Sequence, residues 1–290
     1  SRGGFQAEVF ATEKLGHVHF TWPGTSAEIA DHFARFASIF PQLVAPLSVN
    51  MRKRGGGAKS VRLVDLSAKE NDYFQLAVSF ETCDAMGANF IYTILEGVAR
   101  EWSTMVPSVS IIMAIVSNYT PDCRVRAEVR CPVASIGVDV AKRLAKAVAV
   151  AKVDPYRAVT HNKGILNGID AVVLATGNDF RAVEASAHAY AARSGEYRGL
   201  SEVKLENADF VMALELPLAI GTVGGLTALH PLAQASLELL GFPSARELMM
   251  IMASVGLAQN FSAVKSLVTT GFQQGHMRMH LWNILRQLKV

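Results

Sequence analysis

The run HNKGILNGIDAVVLATGNDFR, His161 to Arg181, constrains this chain most, because it sets lysine, asparagine and aspartate side chains into an otherwise apolar, glycine-punctuated segment. Its middle, Ile169 to Ala175, reads as a short buried strand, bounded by Asn167-Gly168 before it and Thr176-Gly177-Asn178 after it. Lys163 and Asp179 then stand at opposite ends of one strand. A buried ammonium costs several kcal/mol unless it is paired, which makes Asp179 the expected partner of Lys163. Such a pair beside a pocket can stabilise an oxyanion, and it can equally be a structural ion pair that closes a strand.

A chain of 290 residues, 50% of them hydrophobic, can bury a large core, and its length suggests two domains or one domain with a substantial insertion. The longest uncharged apolar run, Leu248 to Ala258, is well short of the ~18 residues of a membrane span, so no membrane helix is expected. SRGGFQAEVF has no apolar core of a signal peptide. Cys83, Cys123 and Cys131 are odd in number and lack C-x-x-C spacing, which fits reduced thiols and a cytoplasmic protein. A net charge of +3 gives no argument for nucleic acid but suits polyanionic small ligands.

Glu8 to Phe20 alternates as a strand does, with His17 and His19 on one face; no third ligand is near, so no metal is expected. Thr25 to Ala45 has apolar residues at helical spacing, with Thr25 and Ser26 available as caps. The loop NMRKRGGGAKS, Asn50 to Ser60, joins Arg52, Lys53 and Arg54 to glycines whose backbone can fold round an anion. Val61 to Phe80 reads as an antiparallel hairpin, and Asp84 is placed to cap a following helix that runs to Val98. A basic amphipathic helix is expected over Ile136 to Val153, then a turn at Asp154-Pro155-Tyr156-Arg157. Beyond Asp179, an alanine-rich helix ends at Gly195, a hairpin spans Glu202 to Glu215, and helices follow at Pro231 to Leu240 and Ser244 to Asn260, the last with a capping box Ser244-Ala-Arg-Glu247. His276 and His280 lie one helical turn apart, but methionine at 277 leaves no H-E-x-x-H motif.

Taken together, HNKGILNGID, ATGNDFRAVEA, DAMGAN, GTVGG, AQN and GHM resemble 3-hydroxy-3-methylglutaryl-coenzyme A reductase of the soluble bacterial and archaeal class, from about Gly3 to about Ile284. The resemblance implies an α+β fold, in which residues 10–118 form a small dinucleotide-binding domain of antiparallel sheet and helices. That domain is inserted in a large substrate-binding domain of residues 1–9 and 119–268, and 269–290 begin a C-terminal flap. The implied reaction is NAD(P)H-dependent reduction of the thioester to mevalonate and coenzyme A, or its reverse, by an obligate homodimer with its active site between subunits.

By the same resemblance Lys163, Asp179 and His276 are catalytic: Lys163 meets developing oxyanions, Asp179 holds the lysine, and His276 protonates the departing thiolate. Arg157, Asn167 and Asn260 hold the substrate, an arginine suiting bidentate recognition of a carboxylate. Asp84, Met86, Gly87, Asn89 and Asn118 contact the dinucleotide. NADH-preferring members carry an aspartate where Ser48 stands here, so Ser48 with Arg52, Lys53 and Arg54 points to NADPH over NADH. The chain departs from the family at Tyr92, where a small polar residue is common, and the family's catalytic glutamate and the rest of its flap would fall before Ser1 and after Val290. The alternative is a non-catalytic dimeric homologue that binds coenzyme A or a dinucleotide.

Overall fold

The computed structural model of the chain describes residues 4–269 and 271. In chain order the elements are β1 (Gln6–Val9), β2 (Lys14–Thr21), α1 (Ser26–Leu47), α2 (Val49–Arg52), β3 (Gly57–Asp65), β4 (Tyr73–Glu81), α3 (Ala88–Met105), β5 (Ser110–Val116) and β6 (Arg124–Pro132). They continue with α4 (Val133–Ile136), α5 (Val138–Val153), α6 (Pro155–Ala175), α7 (Phe180–Ala191), β7 (Ser201–Glu206), β8 (Asp209–Pro217), α8 (Gly225–Leu229), α9 (Pro231–Leu239) and α10 (Ala245–Val268).

The strands form two antiparallel sheets, ordered β3-β4-β2-β5 and β1-β6-β8-β7. The first comes from one contiguous stretch in a split βαβ arrangement, strand, helix, two strands, helix, strand. Its inner face, Val18, Phe20, Phe74, Leu76 and Phe80, packs on Phe36 of α1 and on Ile91, Leu95 and Trp102 of α3. The second sheet has its own core, where Val125, Ala127 and Leu214 meet Leu144 of α5, Ile165 and Ile169 of α6, and Met252 and Leu257 of α10. The chain crosses between the sheets twice, and the crossings bond to one another: Glu13 N donates to Asp122 O (3.2 Å) and Arg124 N to Ala11 O (2.9 Å). The single opening strand expected over Glu8 to Phe20 is therefore two strands, one in each sheet.

Local capping chemistry explains several boundaries. Thr25 with Glu28, and Ser244 with Glu247, complete reciprocal capping boxes at α1 and α10. The helix expected from Ile136 divides at Gly137 into α4 and α5. By length and composition α10 could cross a membrane, but Leu248, Met252 and Leu257 lie in the core, as expected of a buried central helix.

The largest correction concerns Ile169 to Ala175, which forms the last two turns of helix α6 and not a strand. Ile165, Leu166, Ile169 and Val173 recur at helical spacing and all are buried, whereas a seven-residue, mostly apolar window read alone fits either element. Gly168 belongs to this packing: a Cβ there would lie 2.9 Å from Gln259 Cβ and 3.1 Å from Val255 O of α10.

Candidate functional site

Helix α6 begins where Asp154 accepts a hydrogen bond from Tyr156 N (3.0 Å) and Pro155 occupies the first turn, where its missing N–H costs nothing. One side is buried and fastened. Asn162 donates to Tyr197 Oη (3.1 Å) and Arg198 O (2.9 Å) and accepts from Leu200 N (2.9 Å). His161 Nε2 meets Ser201 Oγ (2.7 Å), which donates to Asn260 Oδ1 (2.8 Å), an order that places the imidazole proton on Nε2. Burial, then the Arg157 and Lys152 charges, push the His161 pKa down to about 3, so the ring is neutral at physiological pH.

The opposite side is open. Tyr156, Thr160, Lys163, Asn167, Ala171 and Leu174 form one exposed stripe three and four residues apart, with Arg157 half-buried beside its start. Lys163 and Asn167 share this exposed stripe, and Arg157 lies at its edge, about 120° round the helix from Lys163. Thr160, with an exposed side chain between Arg157 and Lys163, was not singled out from sequence; once the segment is helical, its spacing reveals it.

Two expectations change. Lys163 and Asp179 form no ion pair, because the helix rises about 18 Å between position 163 and its end at Ala175. Asp179 instead caps α7, accepting from Arg181 N (3.0 Å) and Ala182 N (3.2 Å), and stays exposed at that helix's positive end. Asn260 is only 1% exposed and is spent on Ser201, so it supports α6 from within and offers no open face to a substrate.

Asp179 borders a groove of ≈ 460 Å³, walled on one side by Ala85 to Phe90 and on the other by Gly177 to Asp179, Gly221 and Val223 to Thr227. Met86, Gly87 and Asn89 lie in its wall. Gly87 has a left-handed conformation (φ 89°) and leaves the N-terminus of α3 without a side-chain cap for its first N–H groups. The expected capping by Asp84 is not made: Asp84 Oδ1 accepts from Ala245 N (2.8 Å) at α10, and its carbonyl accepts from Thr222 N (2.8 Å). This aspartate clamps the DAMGAN turn to the second sheet's half of the molecule.

Asn178, which sequence reading passed over, fixes the other wall. Its side chain accepts from Gly221 N (2.9 Å) and donates to Gly221 O (3.0 Å), a pair of amide-to-backbone hydrogen bonds that holds the turn carrying Asp179. Gly221 is pinned from the other side too, since a Cβ there would meet Met86 N at 2.4 Å. Gly221→Ala is expected to cost about 1–3 kcal/mol by forcing these walls apart. A thermal melt read by circular dichroism checks it; an unchanged midpoint would contradict the close approach.

A second hollow of ≈ 260 Å³ adjoins the groove through Met51 and Phe90 and reaches Arg54. Arg52, Lys53 and Arg54 are all exposed. Ser48 is not: at 1% exposure, with its Oγ lacking a partner, it sits beneath the α1–α2 junction and cannot present its hydroxyl to a ribose. Asn118 is exposed just after β5, near Met86. Among the described residues no cluster of three or more metal-ligating side chains occurs, and His17 and His19 are an isolated pair with ring centroids 5.7 Å apart. His276 lies outside the described residues.

The family model described as hydroxymethylglutaryl-coenzyme A reductase matches residues 1–281. The chain is 40% identical over 243 residues to 3-hydroxy-3-methylglutaryl-coenzyme A reductase of Archaeoglobus fulgidus, covering 82% of this chain and 54% of that protein. It is 37% identical over 252 residues to a probable reductase of the same name from Borreliella burgdorferi, covering 85% and 58%. The chain thus spans a little over half the length of these curated relatives. Among solved structures it is similar to the class II reductase of Streptococcus pneumoniae bound to NADPH in open conformations, with a TM-score of 0.87 and 39% identity over 92% of this chain and 74% of that one. A second structure of the Streptococcus pneumoniae reductase gives a TM-score of 0.89 at 39% identity, over 96% and 68%.

Proposed function

The chain belongs to the hydroxymethylglutaryl-coenzyme A reductase family, and from that premise we propose that it takes part in NADPH-dependent reduction of 3-hydroxy-3-methylglutaryl-coenzyme A to mevalonate and coenzyme A. The observation that carries the reading is the separation of two half-sites. The face of α6 that exposes Lys163 and Asn167, with the half-buried Arg157 at its edge, is a substrate face, and the groove between the DAMGAN turn and the Asp179 turn is a dinucleotide face. In the domain division we propose, residues 10–118 carry most of the dinucleotide face and residues 1–9 with 119–268 the substrate face.

The groove fits the cofactor. It is walled largely by backbone and glycine, the uncapped N-terminus of α3 offers N–H groups to a pyrophosphate, and the side hollow leads to the cations at 52–54. Bound NADPH supplies hydride. The chain's own residues hold the reacting groups: the Arg157 guanidinium is suited to the substrate's terminal carboxylate, Asn167 to its polar oxygens, and Lys163 to the oxygen that gains negative charge as the thioester is reduced. His276 is assigned the proton for the departing thiolate on the strength of the GHM motif.

One chain alone does not bring Lys163 to Asp179, which supports a homodimer in which the lysine end of one α6 meets the aspartate turn of the other across a two-fold axis. Exposed apolar side chains flank those parts: Tyr156 (87% exposed), Leu174 (58%), Leu226 (59%) and Leu232 (72%). Cys83, Cys123 and Cys131 are free thiols, which supports the cytoplasm as the place of action.

The experiment is an assay of substrate-dependent NADPH oxidation, together with direct binding of substrate and dinucleotide. Turnover supports the reading, and binding without turnover by the dimer would favour a non-catalytic homologue. Cofactor preference gives a second expected result. With three exposed cations at 52–54, Arg54 reaching the hollow beside the groove, kcat/KM should favour NADPH over NADH by roughly 10-fold or more, a margin limited by solvent screening of exposed charges. Arg54→Ala should erode that ratio, and NADH preference in the unaltered protein would contradict the assignment of the basic turn.

A further inference from the structure

The turn that carries Arg52, Lys53 and Arg54 is fastened to the start of the DAMGAN turn. In the antiparallel pairing of β3 with β4, Gly57 stands opposite Glu81, so the residues just before β3 face those just after β4. There Cys83 Sγ donates to Arg54 O (3.1 Å). Cys83 N donates to Glu81 Oε1 (2.8 Å), and the other carboxylate oxygen of Glu81 accepts from Thr12 Oγ1. Gly56 lies against the same strand end, where a Cβ would be 2.5 Å from Glu81 O. Cys83 holds a left-handed backbone (φ 52°), rare for a residue with a side chain and kept only where surrounding bonds fix it. Burial, then the Glu81 and Asp84 charges, push its thiol pKa up, so the thiol stays protonated and able to donate.

That fastening bears on cofactor choice. Arg54 lines the hollow beside the dinucleotide groove, together with Met51 and Phe90. Asp84, the residue after Cys83, is tied to Ala245 N, so the thiol joins the basic turn to a point that α10 already holds. An exposed arginine on a free turn loses much of its attraction for an anion to chain entropy and solvent, whereas one whose backbone is held beside the hollow loses less. We propose that Cys83 is a positioning residue for cofactor specificity, its thiol holding the Arg54 carbonyl so that the guanidinium is set for the 2′-phosphate that distinguishes NADPH from NADH. This rests on the assignment of the groove and the basic turn above, and adds to it a residue that lies outside the motifs.

The test compares dissociation constants for NADPH and NADH, read by titration of cofactor fluorescence, in full-length protein and in the variants Cys83→Gly, Cys83→Ser and Arg54→Ala. The unaltered protein should favour NADPH by roughly 10-fold or more. Cys83→Gly removes the thiol while suiting the left-handed backbone, so it should melt no lower than the unaltered protein, and the ratio should fall about 3- to 10-fold, the worth of one hydrogen bond. Cys83→Ser keeps a donor and should retain most of the preference; a general loss of packing would instead weaken both cofactors together. If Cys83→Gly fails to fold, Cys83→Ala set against Cys83→Ser carries the comparison. An unchanged ratio in the variant lacking the thiol, alongside a lowered one in Arg54→Ala, overturns the proposal, as does a loss in Cys83→Ser as large as that in Cys83→Gly. A ratio that does not move in Arg54→Ala, or failure of the unaltered protein to bind either dinucleotide, overturns the functional reading beneath it.

Discussion

Lys163→Ala is expected to lower turnover by about 100- to 1,000-fold while substrate affinity falls far less, the usual cost of removing one donor from a developing oxyanion. The physical reason is differential binding: a neutral thioester oxygen asks little of an ammonium, whereas the charged oxygen formed by reduction asks much. The lysine side chain is exposed on α6 and makes no ion pair among the described residues, so its loss should leave the melting midpoint nearly unchanged; surface substitutions lie within about 0.5 kcal/mol. That separates this variant from ones that fail by unfolding. Steady-state kinetics at saturating cofactor, alongside a thermal melt, checks both halves. Near-native kcat would remove Lys163 from the chemistry, and a large drop in stability would make it a structural residue.

Where hydrogen bonding is local, sequence alone located the structure well. Thr25 with Glu28 and Ser244 with Glu247 start helices as their spacing requires, and the hairpin of β3 and β4 follows the alternation on either side of a polar turn. The stretch that anchors the site is ambiguous in sequence because a seven-residue window with six apolar residues satisfies a strand and a helix equally; the decision lies in packing against α10, which no local window contains. Residue type likewise does not fix exposure. Asn260 and Ser48 are polar, and both turn out to be buried, one holding Ser201 and the other beneath a helix junction. Asp84 was read as a cap for its own helix, yet its bond runs to Ala245, 161 residues away, a partnership that only the meeting of the two halves creates.

The helix also changes what the pairing of Lys163 with Asp179 means. A strand would part the two residues further still, rising about 3.3 Å per residue against about 1.5 Å in a helix. With Lys163 midway along α6 and Asp179 beyond its end, the segment supports a site completed by a second subunit, and neither Lys163→Ala nor Asp179→Ala homodimers should then turn over appreciably. The measurement that tests this most directly is the activity of a heterodimer, co-expressed with different tags and purified through both, that pairs a Lys163→Ala subunit with an Asp179→Ala subunit. If each site takes its lysine from one subunit and its aspartate from the other, one of the two sites is whole, and the heterodimer should run at about half the wild-type rate per dimer. Activity no higher than that of either inactive homodimer would mean that each subunit's site depends on both of its own residues, and would contradict the shared site.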